Sequence, residues 1–121
     1  MNRLSFFVAL SALFALFVAP LVATSAAARS SMDIVASNWK FTPGAITLHV
    51  GQTKQLRFTS RKGVHGVQSN VLGIPQTTIM PGKFIVVSVT PKKTGTYVIH
   101  CSIFCGAGHP NMRLTVKVVS K

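Results

Sequence analysis

The sequence predicts an all-β domain, an antiparallel sandwich or barrel, and three features carry that expectation. Short runs rich in Val, Ile, Thr and Phe alternate apolar with polar residues, Gly and Pro punctuate them, and no helical period emerges after Ala28. In order, Ile34-Val35 opens the pattern, and Trp39 and Phe41 continue it in alternation with Lys40 and Thr42. Pro43-Gly44 turns the chain into Ile46, Leu48 and Val50, with polar Thr47 and His49 between them. Gly51-Gln52 turns it again into Leu56 and Phe58, flanked by Arg57 and Thr59. Pro81-Gly82 precedes Phe84 to Val89, Lys93-Thr94-Gly95 precedes Tyr97 to Ile99, and Leu114 to Val119 closes the chain. Trp39, Phe41, Phe58 and Phe84 read as core, and Met80 as a turn or core residue. No linker, repeat or low-complexity tract divides residues 29–121, which suffice for one modest core.

Residues 1–28 read as an address. Asn2 and Arg3 make a short positive start, Leu4 to Val22 run without a charge, and Ser25 to Ala28 supply small residues. That order is the pattern of a secretory signal peptide, with cleavage before Ala28 or Arg29. An uncleaved membrane anchor is the alternative, because the apolar run of 19 residues nearly spans a bilayer. Pro20 and the Ala-rich exit favour cleavage. On either account residues 29–121 are expected in the periplasm or on the outer face of the inner membrane, which removes nucleic acid as a partner.

Charge narrows the function further. The chain has 13 Lys+Arg against one acid, Asp33, a formal +12 that falls to +11 without Arg3. Paired-carboxylate hydrolysis, a calcium loop and an Asp-oriented triad therefore lack parts. The plain account of the charge is solubility. The functional account is steering toward an acidic redox partner or an anionic membrane surface. The cations are scattered along the chain, so no patch is fixed by sequence.

The informative stretch runs from Cys101 to Met112. Two thiols, an imidazole and a thioether fall in the spacing C-x3-C-x3-H-x2-M, as Cys101, Cys105, His109 and Met112. A second imidazole, His65, lies upstream between Gly63-Val64 and Gly66-Val67. Thiolate and thioether donors select soft ions, copper above all, and imidazole suits copper or zinc. Gly106 and Gly108 let the loop fold tightly enough for donors to converge. Three plainer accounts compete: a Cys101–Cys105 disulfide, natural in an exported chain, a structural zinc site of two Cys and two His, and Met112 as core filler. A disulfide gives His109, Met112 and the glycines no purpose, and zinc has no use for Met112. Jointly the set favours copper.

On these residues the stretch from Asn38 to Val118 resembles a cupredoxin, whose fold is an antiparallel Greek-key β-sandwich. The donor loop resembles that of the binuclear copper A (CuA) domain, which occurs in cytochrome c oxidase subunit II and in nitrous-oxide reductase. Single-copper blue proteins carry one cysteine in this loop, whereas CuA carries two. The resemblance implies two copper ions per chain, both bridged by the thiolates of Cys101 and Cys105. It implies His65, on the upstream loop, and Met112 on one copper, and His109 with the backbone carbonyl of Ile103 on the other. It also implies an electron carrier rather than an enzyme, at most a redox subunit working with a cytochrome c oxidase-like complex.

Two departures matter. Oxidase subunits commonly have Glu where this chain has Ile103; the change removes a magnesium contact and leaves the carbonyl. Oxidase subunit II docks basic cytochrome c through acidic residues, and this chain offers only Asp33. Both suggest a free-standing CuA-type protein whose partner is an acidic cytochrome or a terminal oxidase or reductase.

No substrate-handling constellation accompanies the donors. Nothing orients His109 as a base for Cys105, and a metal filled by protein ligands has no open position. Strand alternation sends His49 toward solvent and His100 to a surface or packing position, and Phe104 reads as packing. Arg61, Lys62 and Arg113 would lower the thiol pKa values if the fold brings them close. The expectation is an exported protein that shuttles single electrons between respiratory partners. The alternative is a periplasmic copper carrier that delivers the ion to an oxidase or reductase; recruiting distant His65 disfavours it.

Overall fold

A computed structural model of the chain describes residues 19–21 and 30–121, so the expected leader, apart from 19–21, lies outside the described residues. Nine strands and one 3-10 turn follow in order: β1 Ser31–Ser37, β2 Lys40–Thr42, β3 Ala45–His49, β4 Lys54–Ser60, β5 His65–Ser69, β6 Ile74–Ile79, β7 Ile85–Val89, β8 Gly95–His100, the turn His109–Asn111, and β9 Arg113–Val119. One sheet has the order β2-β1-β4-β7, the other β3-β9-β8, and β5 and β6 pair as a hairpin. The expected β-sandwich is present. Its corners at Pro43-Gly44 and Gly51-Gln52 carry the chain from one sheet to the other and back, so they join no neighbouring strands. Such crossovers bring β1 beside β4 and β3 beside β9 in parallel pairs within the otherwise antiparallel ladders.

Alternation fills the space between the sheets. Ile34 and Ala36, Ile46 and Leu48, Leu56 and Phe58, Val87 and Val89, and Leu114, Val116 and Val118 are all buried. Each set is spaced by two, so each strand turns one face inward. β8 and β9 pair antiparallel from Gly95 opposite Val118 to His100 opposite Arg113. The inward period of β8 continues from Ile99 to Cys101, and that of β9 runs back from Leu114 to Met112; all four are buried. The backbone N–H of Cys101 donates to the carbonyl of Met112 at 3.0 Å. Two of the candidate donors are thus the last core positions of paired strands.

Three features differ from the sequence expectation. The hairpin β5–β6 occupies a stretch with no strand signal, because Gly66, Pro75 and a bulge between Val67 and Ser69 interrupt its alternation. Phe41 and Phe58 are core, but Trp39 is 40% and Phe84 58% exposed. Trp39 sits in the tight turn between β1 and β2. Phe84 precedes β7 with the Arg57 guanidinium 4.5 Å above its ring, and Arg57 Nε also donates to Asp33 at 3.1 Å. Met80 is a surface residue beside Phe84 rather than core.

The strand directions give the domain two ends. At one lie Trp39, Ser60, His65, Cys101 and Met112, at the exits of β1, β4 and β8 and the entries of β5 and β9. At the other the chain enters β1 at Ser30, whose hydroxyl accepts from Lys54 Nζ at 2.7 Å. Gly51 N–H donates to Pro91 O at 2.8 Å there, and the hydroxyls of Thr53 and Thr90 bond at 2.7 Å. The six residues of β8 hold the two ends about 20 Å apart.

Truncating Phe58 to Ala should cost about 3–5 kcal/mol of unfolding free energy in urea, whereas Phe84→Ala should cost no more than about 1 kcal/mol. Equal losses would mean that the inward face of β4 is misassigned.

Candidate metal centre

His65 opens β5 and is fully buried. Its Nε2–H donates to the carbonyl of Lys62 at 2.7 Å. That acceptor selects the tautomer with the proton on Nε2, because a carbonyl cannot donate. Nδ1 is then a lone-pair donor, buried and without a hydrogen-bond partner among the described residues. A ring nitrogen of His65 and the sulfurs of Cys101 and Cys105 lie within 4.8 Å of one another.

The cysteines are free, with their sulfurs 3.4 Å apart. Cys101 S–H also reaches the Ile103 carbonyl at 3.1 Å. Cys105 Sγ lies 3.5 Å from His109 Nδ1 and 3.7 Å from Met112 Sδ. The fold therefore gathers His65, Cys101, Ile103, Cys105, His109 and Met112 at one end, His65 from the start of a strand rather than from a loop. His49 and His100 are exposed and stay outside the cluster, as the alternation requires. Phe104 does not pack inside: it is 79% exposed, its ring 5.5 Å from that of His109.

The donor chemistry can be tested against the metal classes. An orphaned imidazole nitrogen, two thiols, a buried thioether and one carbonyl form a soft set that suits copper. No carboxylate lies in it, so magnesium and calcium find no ligands of their kind.

Sequence reasoning missed what holds the loop. Trp39 Nε1–H donates to the Cys105 carbonyl at 3.0 Å. A Cβ on Gly106 would stand 2.9 Å from that indole nitrogen, and one on Gly108 would collide with the ring itself. Gly106 also has φ +121, a backbone conformation that favours glycine. The two glycines are flush with the indole. On the far side a Cβ on Gly66 would come within 2.8 Å of Ile103, and Ser102 N–H donates to Gly66 O at 3.0 Å. No sequence signal marks Trp39 for this role, since its alternation with Lys40 and Phe41 reads as strand and core.

Burial pushes the Cys105 thiol up from 9.0 to about 11; its hydrogen bond to Cys101 and that thiol's charge push the same way, and a backbone hydrogen bond pulls back. No cation is among the causes. The lowering expected from Arg61, Lys62 and Arg113 is absent at Cys105, and an incoming metal must displace its proton.

The model of the cupredoxin-like domain family matches residues 7–116. The chain is 31% identical over 85 residues to cytochrome c oxidase subunit 2 of Thermus thermophilus, covering 70% of this chain and 62% of that protein. It is 35% identical over 79 residues to a probable cytochrome c oxidase subunit 2 of Streptomyces coelicolor, covering 64% of this chain and 24% of that one. The chain thus spans between a quarter and three fifths of these relatives' lengths. In fold it is similar to the periplasmic domain of subunit II of cytochrome oxidase from Bradyrhizobium japonicum, with a TM-score of 0.68 at 16% identity over 76% of this chain and 85% of that one.

Two outcomes are expected of the reduced, metal-free protein. Trp39→Ala should speed amide exchange at Gly106 and Gly108 at least tenfold while Phe58 and Val116 keep their protection; unchanged loop exchange would deny the indole its role. The raised Cys105 pKa gives a stability contribution that is complete below pH 9 and is lost as pH rises toward 11. Alkylation of Cys105 at pH 8 should accordingly run at least tenfold slower in the folded protein than in urea, and equal rates would contradict the burial.

Proposed function

The chain belongs to the cupredoxin-like domain family, and from that premise we propose that it is an exported copper protein with a dinuclear, CuA-type site that carries single electrons between respiratory partners. Family and oxidase relatives together give copper-based electron transfer. The second copper is proposed from this chain's own donors, and the acidic partner from its excess of Lys and Arg.

The observation that carries the reading is the pair of free thiols 3.4 Å apart, with the Ile103 carbonyl 3.1 Å from Cys101 and the His109 and Met112 donors 3.5 and 3.7 Å from Cys105. Cys101 and Cys105 would bridge both ions, His65 and Met112 would complete one, and His109 with the Ile103 carbonyl would complete the other. When bound, a thiolate-bridged copper pair shares one electron and so spreads the change of charge over two metals.

The remaining work falls to the protein. Lys62 O holds the His65 ring with Nδ1 free, a backbone acceptor orienting a ligand from behind. Met112 and Cys101 are buried in the end of the core, which keeps water from the inner side. Strands and a clamped loop limit movement as charge arrives. His109 is only partly buried and has exposed Phe104 beside it, which makes this the side for electron exchange.

The similarity in fold to a periplasmic domain supports a location outside the cytoplasm; residues 1–28 would be the leader or anchor and 29–121 the working domain. The partners proposed are an acidic cytochrome and a terminal oxidase or reductase. Transfer of the metal itself is disfavoured, because two of the donors, His65 and Met112, have no exposed surface through which a receiving protein could exchange them.

Titration of the reduced protein with copper should end at two ions per chain, with an electron paramagnetic resonance spectrum split by two equivalent copper nuclei. Cys105→Ser should hold at most one, and Ile103→Ala, which keeps the carbonyl, should still hold two. A single ion readily surrendered to a chelator would instead establish the copper carrier.

A further inference from the structure

The end of the domain away from the donors has a character of its own. Lys92, Lys93 and Lys121 line an open cleft of about 660 Å3 together with Val50 and Gly51. Lys54 stands at the same end, bonded to Ser30 where the chain enters β1. The backbone bond from Gly51 to Pro91 ties the turn that precedes Lys54 to the loop that carries Lys92 and Lys93. No carboxylate side chain opposes these four lysines, since Asp33, the only acid in the sequence, is engaged by Arg57.

The position of the chain entry adds a second observation. The uncharged apolar run from Leu4 to Val22 leads into the domain through Ser30, which is bonded to Lys54 and lies at the same end as the other three lysines. Basic residues next to an apolar leader suit the boundary between a membrane and water, where each lysine near an anionic leaflet contributes attraction that salt screens. Cations also flank the donor end, as Arg61, Lys62 and Arg113, but no apolar run enters there.

We propose that the entry end of the domain, through Lys54, Lys92, Lys93 and Lys121, docks on the phosphate headgroups of an anionic lipid leaflet. The domain then stands upright. β8 runs away from the membrane and β9 returns toward it, and the donor loop between them lies about 20 Å farther out, facing soluble partners. The docking surface stands on charge and chain entry alone; only the consequence for electron exchange rests on the proposed function.

The test is the partition of the full chain between vesicles of phosphatidylcholine and vesicles containing one third phosphatidylglycerol. Any apolar leader adds equally to both and cancels in the ratio. The ratio should favour the anionic vesicles roughly 500-fold at low salt, for four lysines, and collapse above 0.5 M. Lys92→Gln, Lys93→Gln and Lys121→Gln together should lower it roughly 100-fold, about fivefold for each charge. Arg61→Gln, Lys62→Gln and Arg113→Gln together should change it by less than threefold. Equal loss from both triple variants would overturn the proposal in favour of unspecific charge. Displacement of the protein by inorganic phosphate at constant ionic strength would also overturn it, by making the cleft a site for free anions. Copper counted on the same samples separates the two readings, because a wrong copper number leaves the vesicle ratio standing.

Discussion

The candidate centre depends on the register between β8 and β9. Their pairing continues one step past the strand ends into the bond from Cys101 N–H to Met112 O. Because side chains alternate, that single register turns a thiol and a thioether inward together at the end of the core. A slip of one residue would turn both outward and bring exposed His100 and Arg113 in. Apolar burial of Ile99, Leu114, Val116 and Val118 enforces the register along the pair. The same burial that stabilises the sandwich therefore also aims the donors. Core and site are one construction here.

Around this pair the other donors are held by contacts of backbone and glycine. Ser102 N–H to Gly66 O draws the loop onto β5, and the carbonyl of Lys62 fixes the ring of His65 from behind. The Trp39 indole presses on Gly106 and Gly108 and bonds the carbonyl of Cys105. Substituting a side chain at any of these glycines would lift the loop away from its support. The result is a pocket whose thiol resists ionisation until a metal replaces its proton. Rigidity and a closed interior suit a group that passes electrons; they do not suit one that must open to release its metal.

The sequence made the fold class legible because most strands, such as β3, β4 and β9, alternate cleanly between bounding Gly and Pro residues. β5 and β6 escaped because Gly66, Pro75 and polar Gln76, Thr77 and Thr78 leave no period to read. Phe84 was misplaced for the opposite reason: it adjoins the apolar run from Ile85 to Val87, in which hydrophobicity alone does not tell one face from the other. Cys101, Cys105, His109 and Met112 were legible as a local spacing, and His65 by its soft-donor company. Trp39 was not, because its role is a contact across 66 residues that leaves no pattern in the chain. The crossover corners were seen as turns, but a turn does not say whether the next strand joins the same sheet.

The most direct test of the account is X-ray absorption at the copper edge of the loaded protein. Two copper ions on shared thiolates require a sulfur shell around the metal and, beyond it, a copper neighbour in the scattering. Finding both, with the copper–copper component lost in Cys105→Ser, is the result expected. A spectrum of nitrogen and a single sulfur with no copper neighbour would contradict the account and leave one ion in a pocket built for it alone.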